Sequence, residues 1–552
     1  MQKYFTTPIY YINGSPHIGH AYTTILGDVL KKFEQMRGAD VFYTTGTDEH
    51  GQKNQTSCQE SRLPLPEFLK MRSDNFRNLF DKMDIDYDHF VRTSSDEHKA
   101  VVTEALNYIY NKGLIRKKSY EGLYCEGCEQ FKKPSDLDER GFCPDHQKAP
   151  KLITEENYFF PLEQDRQWLI DYINTHPDWI KPRRFAKEVL GMLSEPLDDL
   201  CISRPKSRVW LGVELPFDHD FVTYIWFDAL INYISSLGWS PDESKNARFN
   251  ELWPHCTHLL AKDILKTHAV YWPIMLKALG IQPPEHLIVH GYWLGEGGIK
   301  MSKSLGNVVD PYEVMDLMGI EPLRFYLCNA MSLTGDSQIS VDLLKQGYKL
   351  LANNIGNLQM RVLKMIAKNL GGKVPSAASL LDNIADTFAR IYQYGESSLE
   401  LVSELSNEIL KAGDAVNAYF AANEPWVLAK DESKKERYEA VIYTTLDALR
   451  LIAAAVYPFM PAVSQKILAS LGIGEKPSLA DFKPQQLASG SQTTVGDPLF
   501  PYIADPASAP SQHDRPLAPQ PTLPLPALLK LTAAHPPPIK SFPCPPARQL
   551  PV

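Results

Sequence analysis

The sequence predicts an α/β fold built on a parallel sheet, split by a small cysteine-containing insert and followed by an α-helical bundle. Three observations carry this reading. Residues 1–117 alternate apolar strand-like runs with amphipathic helical ones, a Cys/His cluster breaks the alternation over 118–150 before it resumes, and from about Leu343 apolar residues recur at helical spacing.

Tyr4–Ile12 is an apolar-aromatic run that ends in a turn at Asn13-Gly14 and Pro16, and a helical pattern from about His20 to Phe33 follows. His17-Ile18-Gly19-His20 stands where that helix opens. A helix start offers unpaired backbone N–H groups and the positive end of its dipole, and two imidazoles there can donate to phosphate oxygens, which predicts a nucleotide-phosphate site. Val41–Thr45 reads as the next strand, and Leu65–Met83 and Asp96–Asn111 as amphipathic helices. Beyond the insert, Val222–Phe227, His258–Leu260 and His286–His290 read as strands. Open parallel sheets bind ligands beyond the carboxyl ends of their strands, so Asn13, Asp48, Asp228, Asp263 and His290 should line the site. Lys300-Met301-Ser302-Lys303-Ser304, flanked by Gly295, Gly297, Gly298 and Gly306, places ammonium and hydroxyl groups on a segment able to close over a triphosphate.

Cys125-x-x-Cys128 and Cys143-x-x-His146 have the spacing of two metal-binding knuckles in a segment too short and polar to hold itself together otherwise. Four protein ligands fill a tetrahedral shell and leave no place for water, which predicts one structural zinc ion. The bundle pattern runs through Leu350–Ile366, Ile384–Leu405, Ser406–Phe420, Arg437–Val456 and Ala462–Ser470. Pro458-Phe459-Met460-Pro461 reads as a packed helix junction. From Pro498 to Val552 prolines recur every few residues, which predicts an extended or disordered tail.

At 552 residues the chain is too long for one core, and three or four domains are expected. No stretch is long and apolar enough to span a membrane and no secretory signal opens the chain, which predicts a cytoplasmic location and no membrane partner. The net charge of −9 argues against wholesale coating of nucleic acid but leaves room for a local basic surface that reads one folded RNA.

The two signatures, in this order, resemble those of class I aminoacyl-tRNA synthetases, and over residues 1–470 the chain is similar to the methionyl-tRNA synthetase family. The likeness rests on Thr7-Pro8-Ile9-Tyr10-Tyr11-Ile12-Asn13-Gly14, Gly46-Thr47-Asp48-Glu49-His50-Gly51 and Tyr224-Ile225-Trp226-Phe227-Asp228-Ala229. Lys262-Asp263-Ile264 with His268, and His290-Gly291-Tyr292-Trp293, continue it. Asn354-Ile355-Gly356-Asn357-Leu358-Gln359-Met360-Arg361 and Glu424-Pro425-Trp426 resemble its anticodon-reading elements. The chain departs from the pattern at Ala261, where the family usually has Gly, and at Leu230, where some members have Pro.

The resemblance implies a Rossmann-like catalytic domain in two halves, 1–117 and 151–295, around a zinc-knuckle insert at 118–150. A signature-loop and stem-contact region at 296–345, an anticodon-binding bundle at 346–490 and a Pro-rich tail at 491–552 complete it. ATP is expected against Tyr11, Asn13, Gly19, His20, His50, Lys262, Asp263, His290, Gly291 and Lys303, with Mg2+ as its counterion. Methionine is expected among Ile9, Tyr11, Trp226, Ala229, Tyr233, Ile264 and His268, with Asp48 on the ammonium and His268 or Tyr11 donating to the sulfur. His17, His20, Lys300 and Lys303 are the expected catalytic residues. Asn357, Arg361 and Trp426 are expected to read the CAU anticodon of tRNA(Met), initiator included, and the chain is expected to be a monomer. The isoleucyl, leucyl and valyl relatives carry a much larger hydrolytic insert, and a non-catalytic paralogue would show decayed signatures.

Overall fold

The computed structural model describes residues 1–125, 130–144, 147–224, 226–299, 301, 309–332, 335–376, 382–393 and 399–503. Met1–Pro501 is one unit; of a second, Tyr502–Val552, only Tyr502 and Ile503 are described, so the expected tail lies almost wholly outside the described residues.

Six parallel strands form the central sheet: β1 (Gln2–Tyr11), β2 (Asp40–Asp48), β3 (His89–Arg92), β4 (Ile180–Lys181), β5 (Cys256–Ala261) and β6 (His286–His290), in the spatial order β3-β2-β1-β5-β6-β4. β1 is central, pairing with β2 on one side through Tyr4↔Phe42 and with β5 on the other through Tyr4↔Cys256. Strands covered on both faces read as continuous apolar runs, as β1 does. Helix α1 (Ile18–Met36) is buried on nearly every side, because the sheet lies against one face and α4 (Ile320–Ala330) against another. Helix α2 (Asp96–Asn111) has the bounds its periodicity predicts, opened by Ser95, whose side chain accepts from the His98 N–H.

The insert hangs from an antiparallel ribbon, Arg116–Cys125 against Lys151–Phe160, in register from Arg116↔Phe159 to Tyr124↔Lys151. One expectation is corrected here. Val222–Phe227 is not a strand of the parallel sheet. Asp218–Thr223 pairs antiparallel with Ser203–Pro205 and Glu214–Leu215, and helix α3 (Trp226–Ser235) begins where the strand was expected to end. A short and almost continuously apolar run carries no period to separate strand from helix. Asp228 therefore stands on the first turn of α3. The edge strands β3 and β4 are too short to leave a sequence signal.

In the bundle, the pattern expected over Leu350–Ile366 is broken into Val341–Leu351, a π-helical turn at Ala352–Gly356 and α5 (Asn357–Leu370). Helices α6 (Leu399–Ala422) and α7 (Lys435–Val456) follow, then Pro461–Ser470. Phe459 and Met460 are fully buried at the junction between the last two.

Candidate active site and RNA-facing surface

The chain reverses its direction of travel across the sheet at β1, and the crevice beyond the carboxyl ends of β1 and β5 is where such a sheet binds ligands. Tyr11 ends β1, Asp48 ends β2, Lys262 and Asp263 follow β5, and His290 ends β6. These expected site residues converge on one edge of the sheet although they come from four separate parts of the chain.

His17 is the N-cap of α1. Its Nδ1 accepts from the Gly19 N–H at 3.1 Å, and Nδ1 of His20 accepts from the His17 N–H at 3.2 Å. A neutral imidazole that accepts at Nδ1 carries its proton on Nε2. Both rings therefore keep an Nε2–H, and they stack at 3.7 Å between centroids. Burial, and then the neighbouring His17, hold His20 well below the ordinary histidine range, so it is a neutral donor.

His290 is spent inside the fold. Its Nδ1–H donates to the Gly291 carbonyl at 2.8 Å and its Nε2 accepts from the Thr23 hydroxyl at 2.9 Å, with burial lowering it to about 4. It braces β6 against α1. A side chain at Gly291 would run into the carbonyl of Gly335, so glycine is required there. Lys262 ion-pairs with Asp336 at 2.8 Å and lies 4.6 Å from the centroid of the Tyr292 ring. Asp336 was not foreseen, since no periodicity links it to a residue so distant in sequence.

His50 donates Nδ1–H to Asp228 at 2.6 Å, and His98 reaches the other carboxylate oxygen from α2 at 2.8 Å. Burial opposes the charge on Asp228, yet the two imidazoles hold its carboxyl far below the usual range. Burial likewise opposes protonation of His50, and Asp228 raises it nonetheless. The His50 N–H in turn lies 3.3 Å from Asp48. His98 was missed because a histidine on the inner face of an amphipathic helix looks like core.

Ala229 is buried and Ile9 and Ile264 are half-buried. Trp226 packs with Tyr11 against Tyr124 and Tyr224, and its buried indole N–H has no hydrogen-bond acceptor among the described residues. Tyr233 donates its hydroxyl to Nε2 of His268 at 2.7 Å, while Nδ1–H of His268 donates to the Ile264 carbonyl at 2.8 Å. Burial lowers His268 to about 4, so the ring is neutral and has no N–H left over. The expectation that His268 donates to a thioether sulfur is corrected on that ground. Of the lysine signature, Lys300 and Lys303 lie outside the described residues, as do Cys128 and His146 of the Cys/His cluster. Cys125 and Cys143 are 3% and 0% exposed in the insert, although Leu152, just beyond it on the ribbon, is 66% exposed. Thiols are the soft donors that zinc takes, but among the described residues no three His, Cys, Asp or Glu side chains are gathered as a metal ion would need.

On the bundle, Asn357 and Arg361 are exposed one turn apart on α5. Arg361 donates to Asn417 at 2.5 Å and lies 5.4 Å from the centroid of the Phe420 ring, and Trp426, 43% exposed, meets the same ring edge-on at 6.4 Å. An amide, a guanidinium and an open indole thus share one face, with Asn417 and Phe420 as supports that the sequence did not mark.

A sequence profile described as tRNA synthetases class I (M) matches residues 3–150 and 133–363, and one described as the anticodon binding domain of methionyl tRNA ligase matches 374–514. The methionine–tRNA ligase of Caldanaerobacter subterraneus subsp. tengcongensis is 38% identical over 508 residues, covering 91% of this chain and 78% of that protein. That of Streptomyces coelicolor is 36% identical over 532 residues, covering 92% and 97%. A crystal structure of Mycobacterium tuberculosis methionyl-tRNA synthetase bound by methionyl-adenylate is similar with a TM-score of 0.84 at 31% identity, covering 91% of this chain and all of that one.

Proposed function

The chain belongs to the methionyl family of class I tRNA synthetases, and from that premise we propose that its crevice makes methionyl-adenylate and its bundle face reads the tRNA that receives the methionine. The reaction is ATP-dependent ligation of L-methionine to tRNA. A methionine carboxylate oxygen attacks the α-phosphorus, the bond to the bridging oxygen breaks and pyrophosphate leaves. A terminal ribose hydroxyl of the tRNA then attacks the acyl carbon and AMP leaves. Such chemistry is catalysed by positioning and charge stabilisation and needs no protein nucleophile.

The observation that carries this reading is the pair of Nε2–H donors of His17 and His20 at the start of α1, beside the carboxyl end of β1. They bind phosphoryl oxygens as charge builds on them, and because burial keeps His20 neutral it donates without changing charge across the physiological range. Lys300 and Lys303 hold the leaving pyrophosphate, so their removal lowers the rate more than ATP affinity. Magnesium bound with ATP neutralises phosphate charge. Tyr11, Asn13, Gly19, His50, Lys262 and Asp263 surround the nucleotide, with His290 and Gly291 shaping its floor. Asp48, turned by the His50 N–H, takes the substrate ammonium. Ile9, Tyr11, Trp226, Ala229 and Ile264 close on the thioether, and the Tyr233–His268 pair forms the rigid base of that pocket. A single structural zinc ion held by Cys125, Cys128, Cys143 and His146 ties the insert together; the buried Cys125 and Cys143 support this.

Asn357, Arg361 and Trp426 read the CAU loop of tRNA(Met), initiator included, by edge hydrogen bonds and stacking. Residues 1–117 and 151–295 act as the two halves of the catalytic domain, 118–150 as the insert, 296–345 as the region contacting the stem and 346–490 as the anticodon-binding bundle. The chain works as a cytoplasmic monomer; among the described residues no helix is long and apolar enough to cross a membrane. ATP–pyrophosphate exchange with each of the twenty amino acids, without tRNA, tests the core of the reading. Exchange with methionine alone is expected, and exchange with another amino acid would overturn the pocket.

A further inference from the structure

Two residues one turn apart on α4 grip both helix ends that meet at Pro458–Pro461. Arg324, 1% exposed, donates Nε to the Phe459 carbonyl at 2.9 Å and Nη2 to the Pro458 carbonyl at 3.3 Å, just past the C-terminal end of α7. Glu321 accepts from the Ala462 N–H at 2.5 Å and the Val463 N–H at 2.7 Å, in the first turn of Pro461–Ser470. Each charge thus meets the helix end of opposite partial charge and satisfies backbone groups that a helix terminus leaves without partners.

The same Arg324 guanidinium ion-pairs with Asp28 and reaches the Met83 carbonyl at 3.4 Å. Asp28 is 0% exposed and also takes Lys32 at 2.5 Å. It lies on α1, the helix whose first turn follows His17 and carries His20. One planar, fully buried cation therefore fixes the catalytic helix to the end of the long bundle helix, and a guanidinium held in several directions at once has a single orientation.

Geometry gives this joint leverage. Helix α7 has 22 residues and so extends about 33 Å. A tilt of about 10° at one end of such a helix carries the other end about 6 Å, whereas reacting atoms must meet within about 3.5 Å. We propose that Glu321 and Arg324 are positioning residues for tRNA charging: they set the angle of the bundle to α1, so that a tRNA held by its anticodon presents its terminal ribose at the crevice. The inference rests on the reading of the bundle face as the anticodon binder.

Glu321→Gln is the sharpest test, since it keeps one acceptor oxygen, touches no residue of the crevice and leaves the Arg324–Asp28 pair intact. Methionine-dependent ATP–pyrophosphate exchange and the Kd for an isolated anticodon stem–loop are expected to match the unaltered protein. The kcat for charging full-length tRNA is expected to fall about tenfold with little change in tRNA KM, a coupling of ordinary size between sites. Arg324→Lys, which keeps the charge but not the fork, is expected to act in the same direction. Unchanged charging in Glu321→Gln, or a loss no larger than the loss in exchange or in stem–loop binding, would overturn the proposal. Trp426→Ala in the same stem–loop assay separates the two ideas. If it binds the stem–loop as before, the anticodon reading fails, while charging measured against exchange in Glu321→Gln still decides the joint.

Discussion

Replacing Asp228 by Asn leaves its shape and changes only its charge and one acceptor. In the native protein its carboxylate accepts from His50 at 2.6 Å and His98 at 2.8 Å, in a fully buried position. The amide keeps one acceptor oxygen and turns a donor toward the other imidazole. Hydrogen bonds to charged groups contribute about 1.5–3 kcal/mol and neutral ones about 0.5–1.5 kcal/mol, so downgrading both bonds costs about 2 kcal/mol. That is roughly a thirtyfold loss of protection in hydrogen exchange of the α3 amides. The effect has a pH signature. Asp228 raises the pKa of His50 in the fold above its ordinary 6.5 against the pull of burial, so this contribution is complete below that value and is lost as pH rises through the folded pKa. Asp228 itself is depressed below 3.8, so its contribution is present above that value and lost only as pH falls through the folded pKa. After correction for intrinsic exchange, the gap between native and Asp228→Asn proteins is expected to be widest between about pH 4 and 6.5 and to narrow on the alkaline side. A gap constant from pH 5 to 9, or one that widens with pH, would refute the reasoning.

His20→Ala removes one Nε2–H donor and should lower the adenylation rate constant by about 100-fold to 1000-fold with a smaller effect on ATP KM; stopped-flow formation of the adenylate measures both. Lys303→Ala should show the same division, and weakened ATP binding at an unchanged rate would be the contrary result. One zinc ion per chain is expected by elemental analysis, and Cys143→Ser should lose it together with exchange protection in the Arg116–Cys125 and Lys151–Phe160 ribbon. Trp426→Ala should raise tRNA KM by roughly fivefold to 150-fold, the value of one stacked base; a rise in methionine KM instead would place the indole elsewhere.

Much of the site was legible because strand ends are. Asp48, Lys262, Asp263 and His290 each close or follow an apolar run, and a parallel sheet forces such positions together whatever their distance along the chain. What stayed hidden are contacts that no period encodes. Asp336 matters through Lys262, His98 through Asp228 and Asn417 through Arg361, and in each case the partner belongs to another element. His268 shows the opposite error. Its place in a methionine pocket is what the resemblance implies, but its hydrogen bonds to Tyr233 and Ile264 decide what the ring can donate, and these exist only once the fold has formed. Val222–Phe227 failed for a third reason: burial of both its polar and its apolar described residues, all but Trp226, leaves little of the alternation by which a strand is told from a helix.

The middle position of β1 also sets a timetable for synthesis. Its first neighbour, β2, is made soon after it, but the second, β5, begins only at Cys256. At ribosomal rates of about 5–20 residues per second, the far edge of β1 waits roughly 10–50 s before its partner emerges. For that interval the nascent chain carries a bare, apolar sheet edge in the middle of what will become its catalytic crevice, the kind of surface to which other unfinished chains add. Slowing translation between β2 and β5 should therefore lower the yield of folded enzyme more than an equal delay within the bundle, whose helices pack with near neighbours.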